Sequence, residues 1–173
     1  MNSLVKYFTL IIFIAAIAIS VNAAPPAPWE VEGLIGGKAP DFNLPDMEGN
    51  MVSISDFKQK VIFINFWATW CPPCKTEMPD LNELYKIYKD KDFVLIGIST
   101  DNSKKDIEKF LKDQNIDFIL LHDKDGKIMK AYKVFSLPMS FLIDRDKKIV
   151  EKFLGPRDWT DEEFTKKIDA LLR

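Results

Sequence analysis

Both cysteines of the chain stand two residues apart in W-C-P-P-C-K, Trp70 to Lys75. Cysteines at i and i+3 in the first turn of a helix share a face and lie close enough to join as a disulfide. A helix N-terminus adds unpaired N–H groups and a partial positive charge, which stabilise a thiolate. The chemistry on offer is thiol–disulfide exchange. Cys71 precedes the helix proper and is the expected, more exposed nucleophile; Cys74, one turn further in, is the expected resolving partner. A structural disulfide is the poorer reading, because cross-link stabilisation grows with loop length. A structural zinc site needs four ligands, and the chain has two cysteines and a single histidine, His122. Copper held by Cys71, Cys74 and His122 is a further metal reading, but His122 heads the polar turn H-D-K-D-G, where a surface histidine is expected. No cofactor and no metal is expected.

The two residues between the thiols are both proline, which has no backbone N–H. Pro72 suits the start of a helix, where a missing N–H costs nothing. With Pro73 beside it, only Cys74 is left to donate a backbone N–H to the Cys71 sulfur. A less stabilised thiolate favours the disulfide form, and hence a reducing protein.

Such a site has to be delivered by its elements. Val61 to Trp67 is nearly all apolar, the pattern of a strand buried on both faces of a mostly parallel sheet. It brings the cysteines to the carboxyl edge of that sheet, where open α/β folds place reactive groups. A helix is expected from Pro72 to about Tyr88, with Leu81, Leu84, Tyr85 and Tyr88 along one face and Pro79 bending it. F-V-L-I-G-I-S at 93–99 completes a βαβ unit with a right-handed crossover. Ser103 with Asp106 reads as the capped start of another helix, burying Ile107, Phe110 and Leu111. F-I-L-L at 118–121 is a third buried strand, and a short helix is expected over Ile128 to Tyr132. Residues 139–144 and 148–154 read as antiparallel strands. Thr160 with Glu163 reads as the capping box of a last helix, burying Phe164, Ile168, Leu171 and Leu172. Ahead of all these, D-F-N-L-P and N-M-V-S-I-S flank D-M-E-G as a β-hairpin. The expected fold class is α/β: a central mixed sheet with helices on both faces and an N-terminal β-hairpin extension.

A chain of 173 residues suits one domain with a full core. Its net charge of −2 gives no basic field, which argues against a nucleic-acid partner. Residues 1–23 have the layout of a secretory signal, a lysine, then an apolar run, then small residues at a cleavage site after Ala23. The rival reading is an uncleaved membrane anchor, for which the apolar run is short against the about 20 residues a spanning helix needs. Either way the domain is expected outside the cytoplasm, in the periplasm or cell envelope, with membrane contact only through this segment. The segment has no cysteine to carry a lipid. Residues 24–35 begin A-P-P-A-P-W-E and read as a Pro-rich linker, leaving 36–173 as the domain.

W-C-P-P-C-K after a buried strand, with S-L-P-M-S-F-L-I-D downstream, resembles the thioredoxin fold. G-x-x-A-P-D-F at the domain start and C-K-x-E-x-P after the second cysteine are similar to the envelope thioredoxins of the TlpA/ResA type, over about residues 36–172. The resemblance implies a thiol-disulfide oxidoreductase that reduces cysteine-containing envelope proteins, apocytochromes among them, and is recharged by a membrane-embedded thiol donor. A monomer is expected. The same resemblance implies that Pro138 is a cis-proline facing the dithiol, where a substrate backbone docks as an added strand. Trp70, Pro72, Pro73 and Leu137 would line that docking surface, while Trp67 belongs to the core. Ser136 and Leu137 depart from the glycine and small residue usual before that proline. Glu77 matches the family's acidic residue near the dithiol and would assist proton transfer; its other reading is a solvated carboxylate complementing the helix N-terminus. Asn65 takes the place of a buried aspartate in cytoplasmic thioredoxins. It cannot carry a proton, and reads as a hydrogen-bonded core residue. Three alternatives stay open: a disulfide-forming oxidant with the same dithiol, a peroxiredoxin-like peroxidase, and a copper-binding chaperone. The P-x-x-x-T-x-x-C context of the peroxidase is absent.

Overall fold

A computed structural model describes residues 27–173; the expected signal or anchor at 1–23 lies outside the described residues. The sheet is built on β3 (Val61–Trp67), whose seven residues are all buried. A strand covered on both faces needs apolar side chains in both directions, which is why its sequence runs on without alternation. β3 pairs in parallel with β4 (Phe93–Ser99), and β4 in parallel with β5 (Ile119–His122). On its other side β3 pairs antiparallel with β6 (Met139–Ile143), and β6 with β7 (Ile149–Leu154). The strand order is therefore β5-β4-β3-β6-β7, the expected mixed sheet. The hairpin is a separate two-stranded sheet of β1 (Asn43–Pro45) and β2 (Met51–Ser53), tied to the large sheet by an Asp46–Leu121 bridge.

Alternation along β3 divides the core in two. Val61, Phe63 and Trp67 pack with α2 (Pro72–Tyr88), α3 (Lys104–Leu111) and α5 (Glu162–Leu172) through residues such as Leu81, Ile107 and Phe164. Ile62, Ile64 and Phe66 pack on the opposite side, with the hairpin and the segment of the short helix α4 (Lys127–Ala131). Asn65 has the parity of Phe63, so its amide points under α2. Ser140 is its cross-strand partner on β6.

Three expectations change. The lead at 24–35 is not an extended linker throughout: α1 (Pro28–Glu32) forms there, and Val31 is fully buried in the second core. Proline at a first helical position lacks only an N–H that would be unpaired anyway. Main-chain bonds then dock the segment, from Gly36 N to the Ile149 carbonyl at 2.8 Å and from Ile149 N to the Gly37 carbonyl at 2.9 Å. The capping residues also differ. Ser103 precedes α3 without a side-chain cap bond. α5 is capped by Asp161, whose Oδ1 accepts from Phe164 N at 2.7 Å, while Thr160 turns back to Asp158.

Candidate active site

β3 ends at Trp67, and a four-residue turn leads from it into α2. Cys71 N donates to the Ala68 carbonyl at 3.2 Å, and Cys71 is itself the N-cap of α2. Pro72 and Pro73 fill the first two helical positions and are exposed. Cys71 and Cys74 are joined as a disulfide, with 5.3 Å between their Cα atoms. The Cys74 N–H donates to the Cys71 sulfur at 3.3 Å, the one backbone donor that the two prolines leave in the first turn. Cys74 is fully buried and Cys71 is 4 % exposed. Cys71 is thus the more accessible of the two sulfurs.

An apolar groove of about 420 Å³ opens beside that sulfur. Trp70, Cys71, Pro72 and Pro73 form one wall; Met129, Phe135, Ser136 and Leu137 form the other. Trp70, 66 % exposed, is the most exposed large apolar side chain among the described residues. The Leu137–Pro138 peptide is cis, and Pro138 is buried at the start of β6. Trp67 is a core residue packed on Phe110, with ring centroids 5.4 Å apart. Met129 and Phe135 had no signal in the sequence, because only the fold brings α4 and its following loop against the dithiol turn.

Glu77 lies one turn beyond Cys74 on the same helix face, and is only 2 % exposed. That excludes the solvated-carboxylate reading. Its Oε1 accepts from Asn65 Nδ2 at 2.8 Å, and its Oε2 from Trp159 Nε1 at 2.9 Å. Asn65 Nδ2 also donates to Ser140 Oγ at 3.0 Å, while its Oδ1 has no partner. Burial pushes the Glu77 carboxyl up from 4.5 to about 7, against the pull of the Asn65 and Trp159 hydrogen bonds. A group of that acidity, buried beside a dithiol, can take or give a proton near neutral pH. Trp159 escaped the sequence reading, since nothing local links residue 159 to a helix at 72–88.

His122 is not the surface histidine expected. It is 7 % exposed, because it is the last residue of β5 and turns inward, and its Nε2 lies 2.7 Å from the Asp101 carbonyl. Its ring nitrogen is thus engaged in the strand-end packing.

The chain is similar to several known proteins. The AhpC/TSA family model matches residues 35–152. A protein named thiol-disulfide oxidoreductase ResA from Bacillus thuringiensis subsp. konkukian is 43% identical over 135 residues, covering 78% of each chain. The ResA of Bacillus subtilis (strain 168) is 37% identical over 120 residues, which cover 69% of this chain and 67% of that protein. Among solved structures, one from Chlorobium tepidum assigned as a thiol:disulfide interchange protein DsbE has a TM-score of 0.75 at 36% identity, covering 80% of this chain and 98% of that one.

Proposed function

The chain belongs to the AhpC/TSA family and, with its ResA relatives, is a thiol-disulfide oxidoreductase of thioredoxin-like fold; on that premise we propose that it reduces disulfides of proteins in the cell envelope. The observation that carries this reading is the Cys71–Cys74 pair at the head of α2, with one sulfur at the edge of an apolar groove and the other sealed beneath it. In the reducing direction the Cys71 thiolate attacks a target disulfide. One target sulfur leaves as a thiol, and a mixed disulfide forms. Cys74 then attacks Cys71, releasing the second target thiol and closing the protein disulfide. Glu77 is the group placed to accept the Cys74 proton.

The groove walls support docking of a target segment across Trp70 and Leu137 beside the Leu137–Pro138 bond. The lining holds no charged side chain, so the segment it suits is neutral and apolar next to the reacting cysteine. Placement outside the cytoplasm rests on the signal-like residues 1–23. It implies a membrane-embedded thiol donor to recharge the dithiol, with apocytochromes as one class of target. The domain would work as a monomer.

Two measurements test the reading. A Cys74→Ser variant should accumulate mixed disulfides with envelope proteins through Cys71, and these should vanish in Cys71→Ser. Absence of any adduct removes the enzyme's proposed targets. The direction of electron flow is read from the reduction potential: a value near that of thioredoxin, ~−270 mV, supports a reductase, and one near that of DsbA, ~−120 mV, makes the protein an oxidant.

A further inference from the structure

The turn that carries the nucleophile is fastened from behind by one buried carboxylate. Asp101 lies two residues past the end of β4 and is 2 % exposed. Its Oδ2 accepts from Thr69 N at 3.0 Å and from Ser99 Oγ at 2.8 Å, and its Oδ1 accepts from Thr69 Oγ1 at 2.6 Å. Its own N–H donates to Ser99 Oγ at 3.1 Å. The Asp101 carbonyl can only accept, so His122 Nε2 carries the proton of the 2.7 Å contact between them. One residue therefore ties together the carboxyl ends of β3, β4 and β5. The donors to its side chain, Thr69 N, Thr69 Oγ1 and Ser99 Oγ, are all neutral groups, and a hydrogen bond to a carboxylate is stronger than one between two neutral groups.

Thr69 is held at both its backbone and its side chain, two residues ahead of Cys71. In the oxidised protein the S–S bond also fixes Cys71 against Cys74. Reduction removes that bond. The turn must then be kept in place by its own Cys71 N–H bond to the Ala68 carbonyl, by the helix it opens and by Asp101.

We propose that Asp101 is a positioning residue, which keeps Cys71 opposite Cys74 in the dithiol state and so raises the effective concentration of the pair. This rests on the oxidoreductase reading, and it adds a determinant of reducing power outside the C-P-P-C segment. The relevant equilibrium is exchange with glutathione disulfide. The Cys71–Cys74 bond forms, the glutathione S–S bond breaks, and the two thiol protons end on two glutathione molecules. Preorganising the two sulfurs lowers the entropy lost when their bond forms. The clamp and the disulfide thus support each other, and loss of one weakens the other.

Asp101→Asn keeps the shape but removes the carboxylate, so its bonds to Thr69 and Ser99 become neutral pairs and its hold on the turn weakens. The variant should lower the equilibrium constant for protein disulfide formation against glutathione by about threefold to tenfold, a rise in potential of ~15–30 mV. Asn82→Ala serves as the structural control. It breaks a part-buried pair in which Asn82 of α2 bonds Asp117, just before β5, at 3.1 and 2.8 Å, away from the dithiol turn. It should lower Tm and leave the glutathione equilibrium where it is. Should Asp101→Asn not fold, Thr69→Val removes only the hydroxyl bond and must shift the equilibrium the same way by a smaller factor. An unchanged equilibrium in the folded variant, or an equal shift in Asn82→Ala, overturns the proposal. Failure of the oxidoreductase reading would be visible in the wild-type protein itself, whose dithiol would not equilibrate with glutathione.

Discussion

Glu77 is pulled two ways, by burial that favours its neutral form and by two donors that favour its charged one. Burial wins. The unfolded chain has the ordinary pKa of 4.5 and folding raises it to about 7, so the native protein binds this proton more tightly. Below about pH 4.5 the group has no effect on stability. Stability is then lost as pH rises towards 7, and above it the full penalty of ~3 kcal/mol applies. Glu77→Gln should remove that slope, so its urea midpoint should gain on the wild type between pH 5 and pH 8; a constant difference would contradict a buried titrating carboxyl. The same variant should slow reduction of a protein disulfide by about 10²-fold and lose any rate step near pH 7. At Pro73, substitution by His adds a second N–H donor near the Cys71 sulfur, which now has one. The reduction potential should rise, and an unchanged or lower value would argue that donor count does not set it. The disulfide pair was legible from six consecutive residues, and Cys71 is, as expected, the less buried of its two sulfurs. The environment of Glu77 was not, because Asn65 and Trp159 are 12 and 82 positions away from it.

Elements show where local signals suffice and where they mislead. β3, β4 and α2 follow the sequence pattern to the residue, since continuous apolar runs and a proline-marked helix start admit few alternatives. Caps are less legible, because several neighbouring residues can serve. Before α5, Thr160, Asp161 and Asp158 compete, and the shorter reach of the Asp161 carboxylate to Phe164 N wins over the Thr160–Glu163 box. Asp161→Ala should therefore cost about 1 kcal/mol in chemical denaturation. Thr160→Ala, which loses only an exposed bond to Asp158, should stay within about 0.5 kcal/mol. A larger loss at Thr160 than at Asp161 would reverse the assignment. Gly97 illustrates a constraint that no pattern announces. A Cβ there would meet Leu120 Cδ2 at 2.7 Å, Phe118 Cε2 at 3.1 Å and Trp67 Nε1 at 3.2 Å, so a side chain in the middle of β4 would make these three packed side chains shift.

At the scale of the molecule, the mixed sheet and its two-sided helical cover were expected, whereas the docking of 28–39 onto the start of β7 was not. Proline-rich composition suggests extension, but one buried valine and a few main-chain bonds are enough to recruit the segment. The larger consequence comes from how the two sulfurs are seated. Cys74 is sealed, and Cys71 alone lines the groove. Under the proposed function, one doorway cannot host a thiol donor and a target disulfide together. Each visitor has to leave before the next arrives, and the electron pair waits inside as the dithiol between visits. Steady-state rates with two protein partners should then give parallel double-reciprocal lines, with each partner in excess competing against the other. Intersecting lines would reveal a ternary complex and a second way in.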